Sequence, residues 1–396
     1  ATLSSVQAPS LSTDQLAAID AADMRSITTA ALRSLSSTQL DGLTSDQLRA
    51  LSSGQVAALT TAQVSTLNTD DLNSLSSDQF NKLTTGQIQS LTTDQLSHLA
   101  TDSLNALGSA QFATLSSAQF GSLTTDQLSK LETADLRAVS TTAVRGLSSD
   151  QINSLTSDEV GSLTTGQVGV LTSVQVKGLE AADMSALGTA QVAVLSSTQV
   201  QNLSTDQLSA IDAADMKALS TAALRALTNP QLDGLTSDQL RALTTGQVNS
   251  LTSAQINGLN TDDLNALTSD QFRNLATSQV AALSNTQLAN LASDNLNALG
   301  TAQMAALSTL QVASLSTAQV AGLSTDNLNA MATDQIRALT AAHAAALTTD
   351  QINGLNKAQF AVMTSQQVNA LASDVLKAMS TDQVRALNVS TLSKLS

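Results

Sequence analysis

The sequence predicts an all-α solenoid of very short capped helices, one per eight residues. Three observations predict it. From Leu3 to Leu395, every eighth residue is Leu, Ile, Val or Met, giving 50 apolar marks without an insertion or deletion. A second apolar residue stands five positions after nearly every mark. Between the two lies a helix-start signal that recurs in the same phase. So short and regular a repeat predicts one continuous body over 1–396, about 50 octads long, rather than several globular domains.

Each octad can be labelled a to h from its apolar mark. Leu43–Ala50 reads Leu-Thr-Ser-Asp-Gln-Leu-Arg-Ala. Ser or Thr at b with Gln at e is a capping box: the b hydroxyl accepts from the e backbone N–H, and the e side chain reaches back to the b N–H. Positions a and f, here Leu43 and Leu48, are then placed as a hydrophobic staple. Position d is often Asp (Asp14, Asp46, Asp94, Asp238, Asp350), in the first turn, where the helix dipole favours an anion. Several octads add a base three residues on, as in Asp46/Arg49, Asp238/Arg241, Asp270/Arg273, Asp334/Arg337 and Asp382/Arg385. Such solvated pairs contribute only a few tenths of a kcal/mol, roughly. Ala at h (Ala50, Ala58, Ala106, Ala242) would let neighbouring helices approach closely.

Other readings fail on geometry. Eight residues advance a continuous helix by about 80° beyond two turns, so a and f would wind around its whole surface. A strand needs a period of two, which spacings of five and three break. Gly is too sparse for a Gly-rich β-roll. The consistent solution is a helix of about six residues, a sharp turn, and another helix. So short a helix is unstable alone and must stack on its neighbours, as solenoid units do.

Internal markers bear on how many octads make one coil. Residues 12–107 resemble 204–299, a shift of 192 residues or 24 octads. The Ile19–Arg25 block recurs in altered form at Leu131–Arg137, 14 octads on, and Glu180–Met184 follows Asp20–Met24 by 20. Every shift is even and several are not multiples of three. The expected coil is therefore two octads long, with two helices.

Composition bounds the function. The chain has no Trp, Tyr or Cys, only five Phe, and a net charge of -15 with 17 Lys plus Arg. Nucleic acid is not an expected partner, because neutralising phosphates needs clustered bases. No apolar run reaches transmembrane length, so no membrane span is expected. No signal peptide is visible; with Ala1 first, a removed leader, a removed initiator Met and an excised segment all stay open.

A search for chemistry assigns no catalytic, cofactor-binding or metal-ligating residue. His98 sits at h. His343 replaces Gln at e and is followed by three Ala, marking a local defect or a small pocket. Met24, Met184, Met216 and Met304 occupy f and read as core fillers. Acids at b (Asp20, Glu132, Glu180, Asp212) precede Asp at e, and read as N-caps rather than as weak cation sites such as Asp20/Asp23 or Asp212/Asp215. Pro230 at d falls in a first helical turn, where Pro is tolerated. Near the end, Ser390 at d and Thr391 at e lose the box.

The octad text resembles the octapeptide-repeat tracts of giant secreted bacterial surface proteins, often labelled adhesion or haem-utilisation proteins. The resemblance covers the whole chain and carries no catalytic residue. The haem label finds no support in the residues: there is no Tyr, and neither His lies in a recognisable ligand pair. The resemblance implies a secreted or cell-surface bacterial protein. The expected function is structural and non-catalytic: a rigid stalk, spacer or self-assembling surface filament, associating end to end or side by side. The alternative is a binding module, an adhesin that offers one solenoid wall to a cell-surface protein or glycan. That reading would call for aromatic or Arg anchors along the wall, whereas g carries Asn, Ser, Ala and scattered Arg.

Overall fold

The computed structural model describes residues 3–394, so the last apolar mark, Leu395, lies outside the described residues. Among these residues the chain is all-α, with 47 short α-helices, two 3-10 segments and no strand. The helices follow the octad phase. Ser45–Ala50, Ser53–Ala58 and Thr61–Thr66 each fill positions c to h, leaving a and b as the linker. Both linker residues are extended: Leu51 has φ -58 and ψ 142, and Ser52 has φ -68 and ψ 153. No described residue has a positive φ, so the chain reverses without the left-handed residue that commonly ends a helix. That is why so few glycines suffice.

By packing, the chain divides into two compact units, Ala1–Leu195 and Ser196–Ser396. The unbroken repeat predicts a single continuous body; the division falls within one octad of Ser204, where the copy of the segment beginning at Ser12 starts.

Inside each unit a helix packs against the helix three places before it and three places after it. In the first unit, Ser45–Ala50 packs on Ala21–Ser26 and under Thr69–Ser74. In the second, Ser237–Ala242 packs on Ala213–Met216 and under Thr261–Ala266. The coil therefore closes after three octads, as from Ala21 to Ser45, and not after the two octads that the even marker shifts predict. Those shifts track how blocks of sequence were copied. Closure depends on how far each two-residue linker turns the chain, about which surface markers carry no information.

The a and f columns line the interior. Leu43 and Leu48, the expected staple pair, are both buried, and all five Phe (Phe80, Phe112, Phe120, Phe272, Phe360) lie fully buried at f. So do Met24, Met184, Met216 and Met304, which are core fillers as expected. Each such side chain contributes about 1.5–3 kcal/mol on burial. Position h faces position c of the coil before: a Cβ added to Gly42 would stand 3.0 Å from the Thr13 Cβ, and one on Gly234 would stand 2.9 Å from the Thr205 Cβ. Small residues at h thus set how closely coils approach. Leu376, Val384 and Leu392, the last three f residues, are exposed because no coil of the described residues packs over them.

Candidate functional site: the buried amide ladder

The polar residue that matters most is Gln at e. It is buried in almost every octad that has it; Gln47 and Gln239 are each only 1% exposed. The capping box forms as the sequence predicts. Thr44 Oγ1 accepts from Gln47 N at 3.3 Å, and Gln47 Oε1 accepts from Thr44 N at 2.9 Å. The box leaves the amide nitrogen over, and that group does what the sequence did not disclose. Gln47 Nε2 donates to Leu16 O at 2.9 Å and to Ile19 O at 2.7 Å, carbonyls of the coil before. Gln239 repeats the arrangement with Leu208 O at 2.8 Å and Ile211 O at 2.7 Å.

One side chain therefore starts its own helix with its oxygen and ties that helix to the preceding coil with its nitrogen. The carbonyls it meets are the f and a groups at a helix C-terminus; the f carbonyl already accepts one backbone N–H, Ile19 N to Leu16 O at 3.1 Å, so the amide fills its second lone pair. Buried and left without a partner, the a carbonyl would cost about 1–3 kcal/mol. Gln is the fitting residue because the task needs an acceptor and a two-proton donor on one neutral head. Where b cannot cap, the ladder persists: Gly108 N and Ala276 N still donate to Gln111 Oε1 and Gln279 Oε1, both at 2.7 Å.

His343 shows the same logic in different chemistry. Its Nδ1 accepts from Thr340 N at 3.2 Å and its Nε2 meets Leu315 O at 2.7 Å. Because Nδ1 accepts, the neutral ring carries its proton on Nε2, which donates. The octad is not a defect in the ladder; an imidazole replaces the amide at both of its jobs. Thr391 replaces it in part, taking Asn388 Oδ1 on its N–H at 2.7 Å and donating Oγ1 to Met363 O at 3.0 Å. The loss of the box expected there is thus incomplete; the Ser390 side chain lies outside the described residues.

A second tie runs along g. Asn73 Nδ2 donates to His98 O at 3.0 Å while its Oδ1 accepts from Ala100 N at 2.7 Å, spanning to the following coil. Arg49 Nε donates to Ser74 O at 3.2 Å, and Arg241 Nε to Ala266 O at 3.2 Å. Arg49 and Arg241, read in sequence as members of helix-surface pairs, thus also clasp successive coils. Of the five expected Asp/Arg pairs, Asp238–Arg241 at 3.7 Å and Asp270–Arg273 at 2.9 Å approach within ion-pair distance among the described residues.

Acids also stand at e, without the amide: Glu159 still completes the capping box, and Asp135 does not. Burial, partly offset by hydrogen bonds from the Thr156 N–H and hydroxyl, raises the pKa of Glu159. Burial also raises that of Asp135, against a hydrogen bond from Ser109 Oγ at 2.8 Å and with help from nearby Glu132. Around Asp135 a cavity of about 440 Å³ opens, lined by Asp78, Asn105, Leu107, Ser109 and Glu132 among others. Asn105 Oδ1 is buried there without a hydrogen-bond partner. At Asn73 the matching oxygen takes the N–H 27 residues on; at Asn105 that residue is Glu132, and the bond is not made.

The acids at b behave unevenly. Asp20 caps, accepting from Ala22 N at 2.9 Å, whereas Glu132, Glu180 and Asp212 make no side-chain cap bond. All four stand at N-cap positions, but the side-chain cap bond expected of them is not made by the last three; at Glu180 the Asp at e takes the part of Gln, Asp183 Oδ2 accepting from Glu180 N at 2.9 Å. No group of three or more His, Cys, Asp or Glu that could hold a metal ion occurs among the described residues. Nor is any helix among them long and apolar enough to cross a membrane. Pro230 lies in the first turn of Asn229–Asp233 as expected, with its carbonyl accepting from Gly234 N at 3.1 Å.

A family model described as the ALTTAQ repeat matches residues 16–53, 64–101, 97–131, 128–165, 176–211, 208–245, 245–277, 258–293, 272–309, 296–333 and 309–341. No curated protein matches the chain. A solved structure described as "Structure of APUM23-GGAAUUGACGG" aligns over 96% of this chain and 89% of its own, at 12% identity and a TM-score of 0.19, and carries no argument here.

Proposed function

The chain belongs to the ALTTAQ repeat family, and from the ladder that its repeats build we propose a structural, non-catalytic role: a rigid stalk, spacer or self-assembling surface filament outside a bacterial cell. The observation that carries the reading is the Gln tie. It is made with backbone carbonyls, so it is indifferent to the side chains it meets and joins coil to coil in the same way in both units wherever a buried Gln stands at e. Such a molecule resists deformation because bending must break buried hydrogen bonds that have no water to replace them. Its task is mechanical: coil number sets reach, and the amide ladder with the Leu/Val interior sets stiffness. The extracellular bacterial setting rests on the likeness of the octad to secreted surface-protein repeats.

Electron microscopy of the purified chain tests this. Extended particles that join into filaments, or hold a constant contour under dilution, support it. Flexible or collapsed particles overturn it. Discrete particles that do not self-associate but retain a cell-surface protein or glycan would favour the adhesin reading instead.

A further inference from the structure

Among the acids at e, two stand apart from Glu159 and Asp135 because each faces a second carboxylate from the coil before. Asp71 lies 6% exposed and Asp263 8% exposed. Asn68 Nδ2 donates to Asp41 Oδ1 and to Asp71 Oδ2, both at 2.8 Å, so a single amide bridges two acids that lie far apart in sequence. The same triad recurs in the second unit. Asn260 Nδ2 donates to Asp233 Oδ1 and to Asp263 Oδ2, the latter at 2.7 Å. In both copies the acid also retains its helix-start role, its own N–H donating to the Asn Oδ1 at 2.8 and 2.9 Å.

These are junctions between coils where the usual donor has been replaced by a group that can donate only when protonated. With both carboxylates ionised, one Asn amide has to hold two like charges together. With one proton added, the second carboxyl can donate to the first, and the junction regains the donor that Gln supplies elsewhere. We propose that Asp41–Asp71 and Asp233–Asp263 are proton-operated clasps between successive coils, each taking up one shared proton on acidification and tightening its junction.

The surrounding charges agree. Burial first, then the Asp41 charge, and further the Asp70 charge, push the pKa of Asp71 up to about 6, against the lowering effect of the Asn68 bond. Burial, the hydrogen bond with Asp233 and its charge, and the Asp262 charge do the same for Asp263, to about 6, against Asn260. The helices packed on Thr69–Ser74 and Thr261–Ala266 bring Asp46 with Arg49 and Asp238 with Arg241, whose Nε groups are committed to the Ser74 and Ala266 carbonyls. On the far side of the first copy stand Asp94 and His98, 3.5 Å apart. Asp14 and Asp206 lie on the helices packed against those that end in Asp41 and Asp233.

The direction follows from linkage. An unfolded Asp titrates near 3.9, and these two titrate higher in the folded chain. The stability they contribute is therefore complete below about pH 4 and is lost as the pH rises through about 6. Acidification from neutrality tightens both clasps.

The test compares the full chain with the double variant D71N/D263N, whose amides cannot titrate and always donate. The charge-matched control is D126N/D326N, which alters exposed first-turn acids. Melting is followed from pH 7.5 to 5 by circular dichroism. Hydrogen exchange, corrected for intrinsic rate, is followed in peptides covering 64–75 and 256–267. The parent and control should gain about 2–4 °C more than D71N/D263N over this range. Their two peptides should become more protected at low pH, while those of the variant stay level. If D71N/D263N does not fold, D41N/D233N gives the same readout from the other side of each pair. Parallel pH profiles for parent and pair variants would overturn the proposal, as would a control that flattens equally.

Discussion

Residues 43–64 and 131–144 are written in the same octad text and held together differently. In the first stretch, Gln47, Gln55 and Gln63 each cap a helix and donate to the coil before. In the second, e is Asp135 and then Ala143. The helices persist: Thr133–Ala138 runs its full six residues, and Ser140 still caps by accepting from Ala143 N at 3.2 Å. What is lost is the tie, and the cavity beside Asp135 opens at that place. Starting a helix and joining a coil are therefore separate tasks that Gln happens to combine. Cap, dipole and staple are enough for the first, whereas the buried tie of the second needs a donor at e.

Four substitutions break or sharpen this contrast. The largest effect is expected from Gln47→Glu, which keeps the cap acceptor but turns a charge towards Leu16 O and Ile19 O. At pH 7 it should cost about 3 kcal/mol in urea unfolding. Part of this should return on acidification, because a protonated Glu regains one donor. A small, pH-independent cost would show that the amide nitrogen matters little. Gln47→Ala removes both tasks without burying charge and should cost about 1–3 kcal/mol; hydrogen exchange should rise at Thr44 and through Ser45–Ala50. In the other direction, Asp135→Gln should restore the tie to the Leu104 and Leu107 carbonyls and raise stability by about 1 kcal/mol. An unchanged melting temperature would mean that the gap near Asn105 has another cause. Arg273→Ala removes an exposed pair with Asp270 and should change stability by about 0.5 kcal/mol or less. A larger loss would show that the guanidinium also clasps the next coil, as Arg49 and Arg241 do.

The local design was legible because its signals are local. Thr44, Gln47, Leu43 and Leu48 lie within six residues of one another, and the capping box, staple and helix length follow from their order. The coil was not legible in the same way. Asp20–Met24 and Glu180–Met184 are surface and cap markers whose spacing preserves a history of copying. Nothing in them reports that Ser45–Ala50 lies on Ala21–Ser26. The tie was hidden for a related reason: the cap explains only the oxygen of Gln47, and the partner of its nitrogen is 28 to 31 residues away. His343 could have revealed it. A residue with one acceptor and one donor on opposite sides of a ring is a poor simple cap, and its presence at e signals that e must reach both ways.

The linkers give the molecule a property that belongs to its genes as much as to its shape. Each turn uses two extended residues with ordinary φ values, so no octad carries a special hinge and any octad can follow any other. A buried Gln at e, such as Gln47 or Gln239, seeks main-chain oxygens at a fixed distance behind it rather than a particular partner side chain. Misaligned recombination that adds or deletes whole octads therefore leaves the Gln ties able to re-form across each new junction. Selection can then adjust the length of the chain one octad at a time, without redesigning an interface at any step.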